Sequence, residues 1–269
     1  MAEAAPDPLD FTGRVVLVTG GTRGIGRGIA EMFLGAGAQV VVCGRHAPGG
    51  LPTSGDRQAS FVTADVRQAD QVAAMVGQIA ERHGRLDVLV NNAGGAPAVP
   101  AADASPGFFS AVIGLNLLAP FSCSQAANAV MQRQADGGSI VNMASVSALR
   151  PSPGSAAYGA AKAGLLNLTR TLAVEWAPKV RVNCVVAGLI ATEAAADHYG
   201  GSQGVEAVAA TVPLGRMGSP RDVAGVCLFL ASPLAAYVTG AAVEAHGGGE
   251  RPAFLTALEA LQGGRSPSG

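Results

Sequence analysis

The sequence predicts one α/β domain: a doubly wound parallel sheet of about seven strands with helices on both faces. Three observations carry that expectation. Short runs that are apolar throughout alternate with longer runs of helical periodicity, the pattern of strands buried on both faces. A glycine-rich turn separates the first strand from the first helix. Composition agrees: 49% of the 269 residues are hydrophobic, 14% are charged and 37 are Gly, which suits close helix-on-sheet packing and not a disordered chain.

The elements follow in order. Residues 15–19 are an apolar strand ended by Gly20-Gly21; residues 24–34 are a helix stopped by Gly35-Ala36-Gly37; residues 40–43 are the second strand. That is one βαβ unit. The alternation continues with a strand at 60–63, a helix at 68–83, a strand at 86–90 and a mostly helical stretch at 108–134. Then come a strand at 139–143, a helix at 156–176, a strand at 180–186, a helix at 221–231 and a strand at 241–245. Two stretches break the rhythm. Residues 46–57 hold too many Pro and Gly for the crossover helix that parallel strands normally need, so one sheet face is expected to be thinly covered there. Residues 192–210 lack sharp periodicity and read as a loop or lid with short helices; the segment 191–210, with its Ala and Val content and Tyr199, is expected to be the loop that covers a substrate with an apolar face. The uncharged run 223–243 approaches spanning length, but Gly225, Ser232, Pro233, Thr239 and Gly240 interrupt it. It is expected to be a helix to Ala231, a turn at Ser232-Pro233, then a strand. No linker divides the chain. Residues 11–249 are expected to be one domain, between a flexible segment 1–10 and a tail 250–269 that carries a short helix.

Several function classes are excluded. A formal net charge of -1 leaves no basic surplus for a nucleic-acid footprint. The first ten residues lack the basic start and apolar stretch of a signal peptide, so no membrane partner and a cytoplasmic location are expected. Cys43, Cys123, Cys184 and Cys227 are far apart and form no C-x-x-C pair. They read as buried reduced thiols, and no metal site is expected.

The turn Thr19-Gly20-Gly21-Thr22-Arg23-Gly24-Ile25-Gly26 carries the first chemical signal. Glycines let the backbone approach a pyrophosphate, and the following helix offers free N–H groups and a favourable dipole. The spacing is not the commoner G-x-G-x-x-G; it resembles the T-G-x-x-x-G-x-G turn of the short-chain dehydrogenase/reductase family, and the resemblance runs through residues 11–248. It implies a Rossmann-type fold and a dinucleotide held by Gly20, Thr22, Arg23, Gly24, Ile25 and Gly26. An acid at the end of the second strand would bond the ribose hydroxyls and repel a 2′-phosphate. The chain has Gly44-Arg45-His46 instead, and Arg45, with Arg23 nearby, can pair with a phosphate dianion. NADP(H) is therefore preferred, with NAD(H) as the alternative. Asp65 and Val66 match the family's adenine contacts, and Asn92, Ala93 and Gly94, in Asn-Asn-Ala-Gly, match its adenosine wall. Asp65 could equally cap a helix, and Asn91 could serve the sheet.

Tyr158 and Lys162, four residues apart, share one face of a helix. A hydride leaving an alcohol carbon requires a proton to leave its oxygen. Free tyrosine, with a pKa near ~10, is a poor base at neutral pH; a neighbouring ammonium lowers it. In the other direction the phenol donates to a carbonyl oxygen. The resemblance adds Ser145, thirteen residues before Tyr158, as the hydroxyl that holds the substrate oxygen, with Ser147 as a rival. It adds Asn116 as a helix asparagine that shapes the helix and holds a water near Lys162. Gly188, Ile190 and Thr192 match the segment that meets nicotinamide, although Ala187 stands where the family usually has Pro.

The expected activity is interconversion of a ketone and a secondary alcohol through a Tyr/Lys/Ser/Asn group, acting on a small-molecule carbonyl or alcohol. A non-catalytic dinucleotide sensor is the alternative from another class. The family habit implies a homo-oligomer, a tetramer or else a dimer, built on the helices at 108–134 and 156–176. His246, where relatives carry Asp, reads as structural or at a subunit contact; Phe254, Leu255, Leu258 and Leu261 line one face of the tail helix.

Overall fold

The computed structural model describes residues 7–263. Of the expected N-terminal segment, residues 1–6 lie outside the described part; residues 7–10 form an exposed turn. The first unit is β1 (Val15–Thr19), α1 (Gly24–Gly35) and β2 (Gln39–Gly44). A small antiparallel hairpin, β3 (Thr53–Ser54) and β4 (Arg57–Gln58), leads to β5 (Ser60–Thr63), α2 (Ala69–His83) and β6 (Val88–Asn91). Then come α3 (Pro106–Ile113), a wide π-turn at Gly114–Leu118, α4 (Ala119–Met131), β7 (Gly138–Ser145), α5 (Ala156–Trp176) and β8 (Val180–Ala187). Two short helices follow, α6 (Ala195–Tyr199) and α7 (Ser202–Ala209). The chain continues with α8 (Pro220–Ala231), β9 (Ala242–Ala245) and α9 (Ala253–Gly263).

The seven-stranded sheet runs β5-β2-β1-β6-β7-β8-β9 and every pairing in it is parallel. Alternating side chains of a strand face opposite sides. Val16 and Val18 of β1 accordingly join α1 and α8 in one core, through Ile29, Phe33, Val223 and Leu230. Val15 and Leu17 join α2, α4 and α5 in the other, through Met75, Ile79, Met131 and Leu172. The sheet is therefore sandwiched between two helical layers, the Rossmann-type arrangement. All four cysteines are unpaired and buried.

Where boundaries differ from expectation, side chains explain why. The strand expected from Leu86 begins at Val88, because the Leu86 N–H is donated to Gln134 Oε1 and Asp87 is held by Arg14 and Arg85. The stretch 46–57 does not leave the sheet face thinly covered. Its hairpin is fastened to α1 by Arg27, which donates to the Gly50 and Leu51 carbonyls, and to the turn after α1 by a bond from Arg57 to Gly37, while Leu51 packs on the core. The π-turn has a local cause. Pro120 has no N–H to give the Asn116 carbonyl four residues back, so the α-helical ladder opens there. The run Pro106–Met131 has the length and hydropathy to cross a membrane, yet here Cys123, Ala127 and Met131 lie in the core. The run 223–243 forms α8, a 3₁₀ turn at Pro233–Ala235 and β9, as expected.

Candidate active site

The sheet reverses its strand order between β1 and β6, and a cleft of about 950 Å³ opens at the carboxyl ends of the strands around that point. Its walls include Gly20, Thr22, Arg23, Gly24, Ile25 and Gly26 from the turn after β1 and Arg45 after β2. They also include Asp65 and Val66 after β5, Asn92, Ala93 and Gly94 after β6, and Gly188, Ile190 and Thr192 after β8. Ser145, Tyr158 and Lys162 close the far side. All expected cofactor contacts thus converge on one cleft. Asn116 lies behind its wall.

The glycine turn is built by backbone geometry. Gly20 and Gly24 have φ of 63° and 53°, the left-handed region that side chains disfavour. At Gly26 a Cβ would come within 2.4 Å of both the Gly20 carbonyl and Asn92 Nδ2. The buried Thr19 hydroxyl accepts the N–H groups of Asn92 and Ala93 at 3.0 Å each, and Asn92 Nδ2 donates back to the Thr19 and Gly20 carbonyls. These bonds lock the loop after β6 against the glycine turn. Asn91 points inward instead, donating to Asn142 Oδ1 and Ser124 Oγ at 2.8 Å each.

On the adenosine side, Asp65 is already engaged. Arg67 grips its carboxylate through Nε and Nη2, and the Arg67 N–H also donates to it. That bonding holds the Asp65 pKa down at about 2. Sequence reasoning missed Arg67; its place two residues after Asp65, next to the expected adenine pocket, was the available signal. Arg45 and Arg23 are exposed on the cleft rim.

Across the cleft, α5 presents Tyr158 and Lys162 one turn apart. The Lys162 ammonium is buried, donates to the Met143 carbonyl at 2.8 Å and lies 5.5 Å from the centre of the Tyr158 ring. Burial brings its pKa down to about 8. The Tyr158 phenol is pushed above the ordinary tyrosine value by burial, against a smaller opposing pull from its hydrogen bond with Ser145. The expectation that Lys162 makes this phenol more acidic is not met in the chain by itself. The ammonium gives its hydrogen bond to the β7 backbone and not to the phenol, and loss of water around the ring sets the direction of the shift. Ser145 ends β7 and faces the cleft, whereas Ser147 is turned to Ser152 Oγ at 3.0 Å.

Asn116 is fully buried on the π-turn. Its amide donates to the Val112 and Gly95 carbonyls and its oxygen accepts the Gly95 N–H, all at 2.9 Å. A Cβ on Gly94 would lie 2.7 Å from Asn116 Oδ1 and 3.3 Å from Lys162 Nζ, so a bare backbone is what lets the two groups approach. Gly188 answers to the protein itself as well as to the cleft: a Cβ there would meet His246 Cβ at 2.6 Å. His246 is paired with Glu244 and packs behind the cleft wall. Among the described residues no group of His, Cys, Asp and Glu could hold a metal.

Comparison with known proteins agrees with this architecture. Residues 20–250 match the family described as enoyl-(acyl carrier protein) reductase. The 3alpha-hydroxysteroid dehydrogenase of Mediterraneibacter gnavus is 36% identical over 242 residues, 87% of this chain and 96% of that relative. The 3-oxoacyl-(acyl-carrier-protein) reductase of Chlamydia muridarum is 37% identical over 243 residues, again 87% of this chain and 96% of the relative. Among solved structures, ligand-free aldohexose dehydrogenase from Thermoplasma acidophilum superposes with a TM-score of 0.82 at 32% identity, covering 97% of each chain. The fold and its relatives define an oxidoreductase that works between alcohol and carbonyl carbons with a nicotinamide dinucleotide. The chain belongs to the short-chain dehydrogenase/reductase family.

Proposed function

We propose that this protein is an NADP(H)-dependent reductase or dehydrogenase that interconverts a ketone and a secondary alcohol, with Tyr158, Lys162, Ser145 and Asn116 as its reacting group. The observation that carries the reading is the meeting of the Tyr158 phenol, the Ser145 hydroxyl and the buried Lys162 ammonium on the wall of the glycine-turn cleft. The glycine cradle, the converging backbone and the cleft volume fit a dinucleotide. When bound, nicotinamide supplies or accepts the hydride. The chain's own residues handle the proton and the geometry. In reduction, Ser145 steadies the carbonyl oxygen and Tyr158 gives that oxygen its proton. A phenol whose pKa is raised is protonated at neutral pH, which suits that direction. In oxidation the phenolate must take the alcohol proton, and the positive charge of Lys162 favours it. Asn116 fixes the loop at Gly95 and with it the spacing between Gly94 and Lys162.

Preference for NADP(H) is supported by the missing acid after β2 and by Arg45 and Arg23 on the rim. The substrate is a small carbonyl compound with an apolar substituent. A cavity of about 80 Å³ borders Tyr158 on the side away from the glycine turn, lined by Ala101, Ala104, Phe108 and Val112 among others. Exposed Leu118 at the end of the π-turn, Phe121 on α4 and Val174 on α5 support pairing of this helical run with α5 between subunits, in a tetramer or a dimer. Phe254, Leu258 and Leu261 of α9 are exposed as well, and suit a neighbouring subunit. Four buried, unpaired thiols support a cytoplasmic location.

The test is an NADPH-consumption screen across aliphatic, cyclic, steroid-like and 3-oxoacyl ketones, with NADH in parallel. Tyr158→Phe should cut turnover on any active substrate by roughly 10²–10⁴-fold and leave cofactor binding intact. Full activity of that variant would overturn the assignment.

A further inference from the structure

Helix α1 begins without a cap of its own. Arg23 precedes it in extended conformation and makes no side-chain cap bond, and its first turn holds no acidic residue. Such an end exposes N–H groups and the positive pole of the helix. The acceptor it finds comes from 169 residues further along the chain. Glu193 Oε2 accepts the Gly24 N–H at 3.2 Å. The Thr192 methyl lies beside the same glycine, 3.5 Å from where a Cβ would sit. Both residues belong to the segment leading into α6, and that segment is anchored behind them, where the Ala191 N–H is donated to Gly218 and the Gly218 N–H to Leu189. A carboxylate from the segment before α6 therefore stands at the N-terminus of α1, where the glycine turn runs into the helix.

We infer that Glu193 sets cofactor affinity by acting as an internal anion at the glycine turn, one that must leave before a dinucleotide pyrophosphate can take its place. The inference rests on the dinucleotide reading of the cleft given above. Its physical basis is simple. The helix end attracts negative charge from either source. The Gly24 N–H serves one acceptor well, and a carboxylate beside a pyrophosphate repels it. Closure of the lid segment over the glycine turn and arrival of the cofactor thus compete, and the carboxylate gives that competition its strength. A neutral side chain at this position would keep the lid and remove the charge.

The experiment compares the full chain with Glu193→Gln and Glu193→Ala by fluorescence titration with NADPH, at low salt and at about 0.5 M salt. The residue is exposed, so both variants should melt close to the parent, checked by circular dichroism. Both should bind NADPH about threefold or more tightly at low salt. The gain should shrink at high salt, because an exposed charge is screened over a few ångströms. A helix cap with no competing role would show the opposite sign, unchanged or weaker binding in the Ala variant with rescue by Gln, and that result overturns the inference. If the parent chain binds neither NADPH nor NADH, the dinucleotide reading falls first and takes this one with it. Binding by the parent with no gain in either variant removes this one alone.

Discussion

Two crossovers connect parallel strands on opposite sides of the sheet, and they are built to different standards. Between β2 and β5 the chain passes through a two-by-two-residue hairpin held by Arg27, Arg57 and Leu51. Between β7 and β8 it passes through the 21 residues of α5, which bury Ala157, Ala161, Lys162, Leu165 and Leu172. The first crossover covers a sheet face and brings Arg45 to the rim. The second places a phenol and an ammonium one turn apart against a backbone carbonyl. Covering a face is a packing task with many solutions. Holding two side chains such as the proposed reacting pair at a fixed separation has few, and the longer, more deeply buried crossover is the one that carries them.

The contrast can be broken at its strong end first. Lys162→Met should lower turnover by about 10²–10⁴-fold while NADPH still binds, measured by steady-state kinetics beside a fluorescence titration. The same residue makes the contrast depend on pH. Its ammonium titrates near 8 in the fold, against 10.5 as the ordinary lysine value. Reduction leaves Tyr158 as a phenolate, which loses its neighbouring positive charge above about pH 8, so reduction rates should fall there and Lys162→Arg should move that alkaline limb upward. Stability runs the other way. Between about pH 8 and 10.5 the unfolded chain binds the proton that the fold has released, so stability gains with rising pH, and levels off beyond 10.5. Melting curves of the parent against Lys162→Met across that window would show it.

At the other crossover, Arg45→Ala should weaken NADPH by about tenfold and NADH far less, since only the former carries the phosphate that Arg45 would pair with. Packing provides the next comparison. Ala161 is fully buried on α5, and Ala161→Leu should destabilise by roughly 1–3 kcal/mol through overpacking, read by urea titration. In the hairpin, Gly55 has φ of 55° with open space around it. Gly55→Ala should cost about 1 kcal/mol from backbone conformation, with kinetic constants unchanged. A loss of activity from Gly55→Ala would erase the distinction between the two crossovers.

The same division governed what could be read from the sequence. Periodicity located α5 at its observed ends, because Ala157, Ala161, Leu165 and Leu172 repeat at helical spacing. The glycine turn and the Tyr158–Lys162 pair were legible because each depends on near neighbours in sequence. The hairpin was not: residues 46–57 showed only that a helix was ruled out, and pairs as short as Thr53-Ser54 with Arg57-Gln58 leave no alternation to detect. The π-turn left one signal, Pro120 four residues after Asn116, which hydrophobic spacing does not register. Three features rested on contacts between distant segments: Glu193 on Gly24, His246 behind Gly188 and Lys162 on the Met143 carbonyl. No local pattern encodes them.

The unpaired cysteines have a practical consequence. Cys43, Cys123, Cys184 and Cys227 are at most 1% exposed, on β2, α4, β8 and α8, and burial raises every one of their pKa values. A sulfhydryl dye should therefore react only as fast as each layer breathes open, giving a four-point stopwatch for local unfolding that needs no engineered label. Cys43 borders the cleft, so its labelling should slow most when a dinucleotide is added, which makes one natural atom a reporter of occupancy.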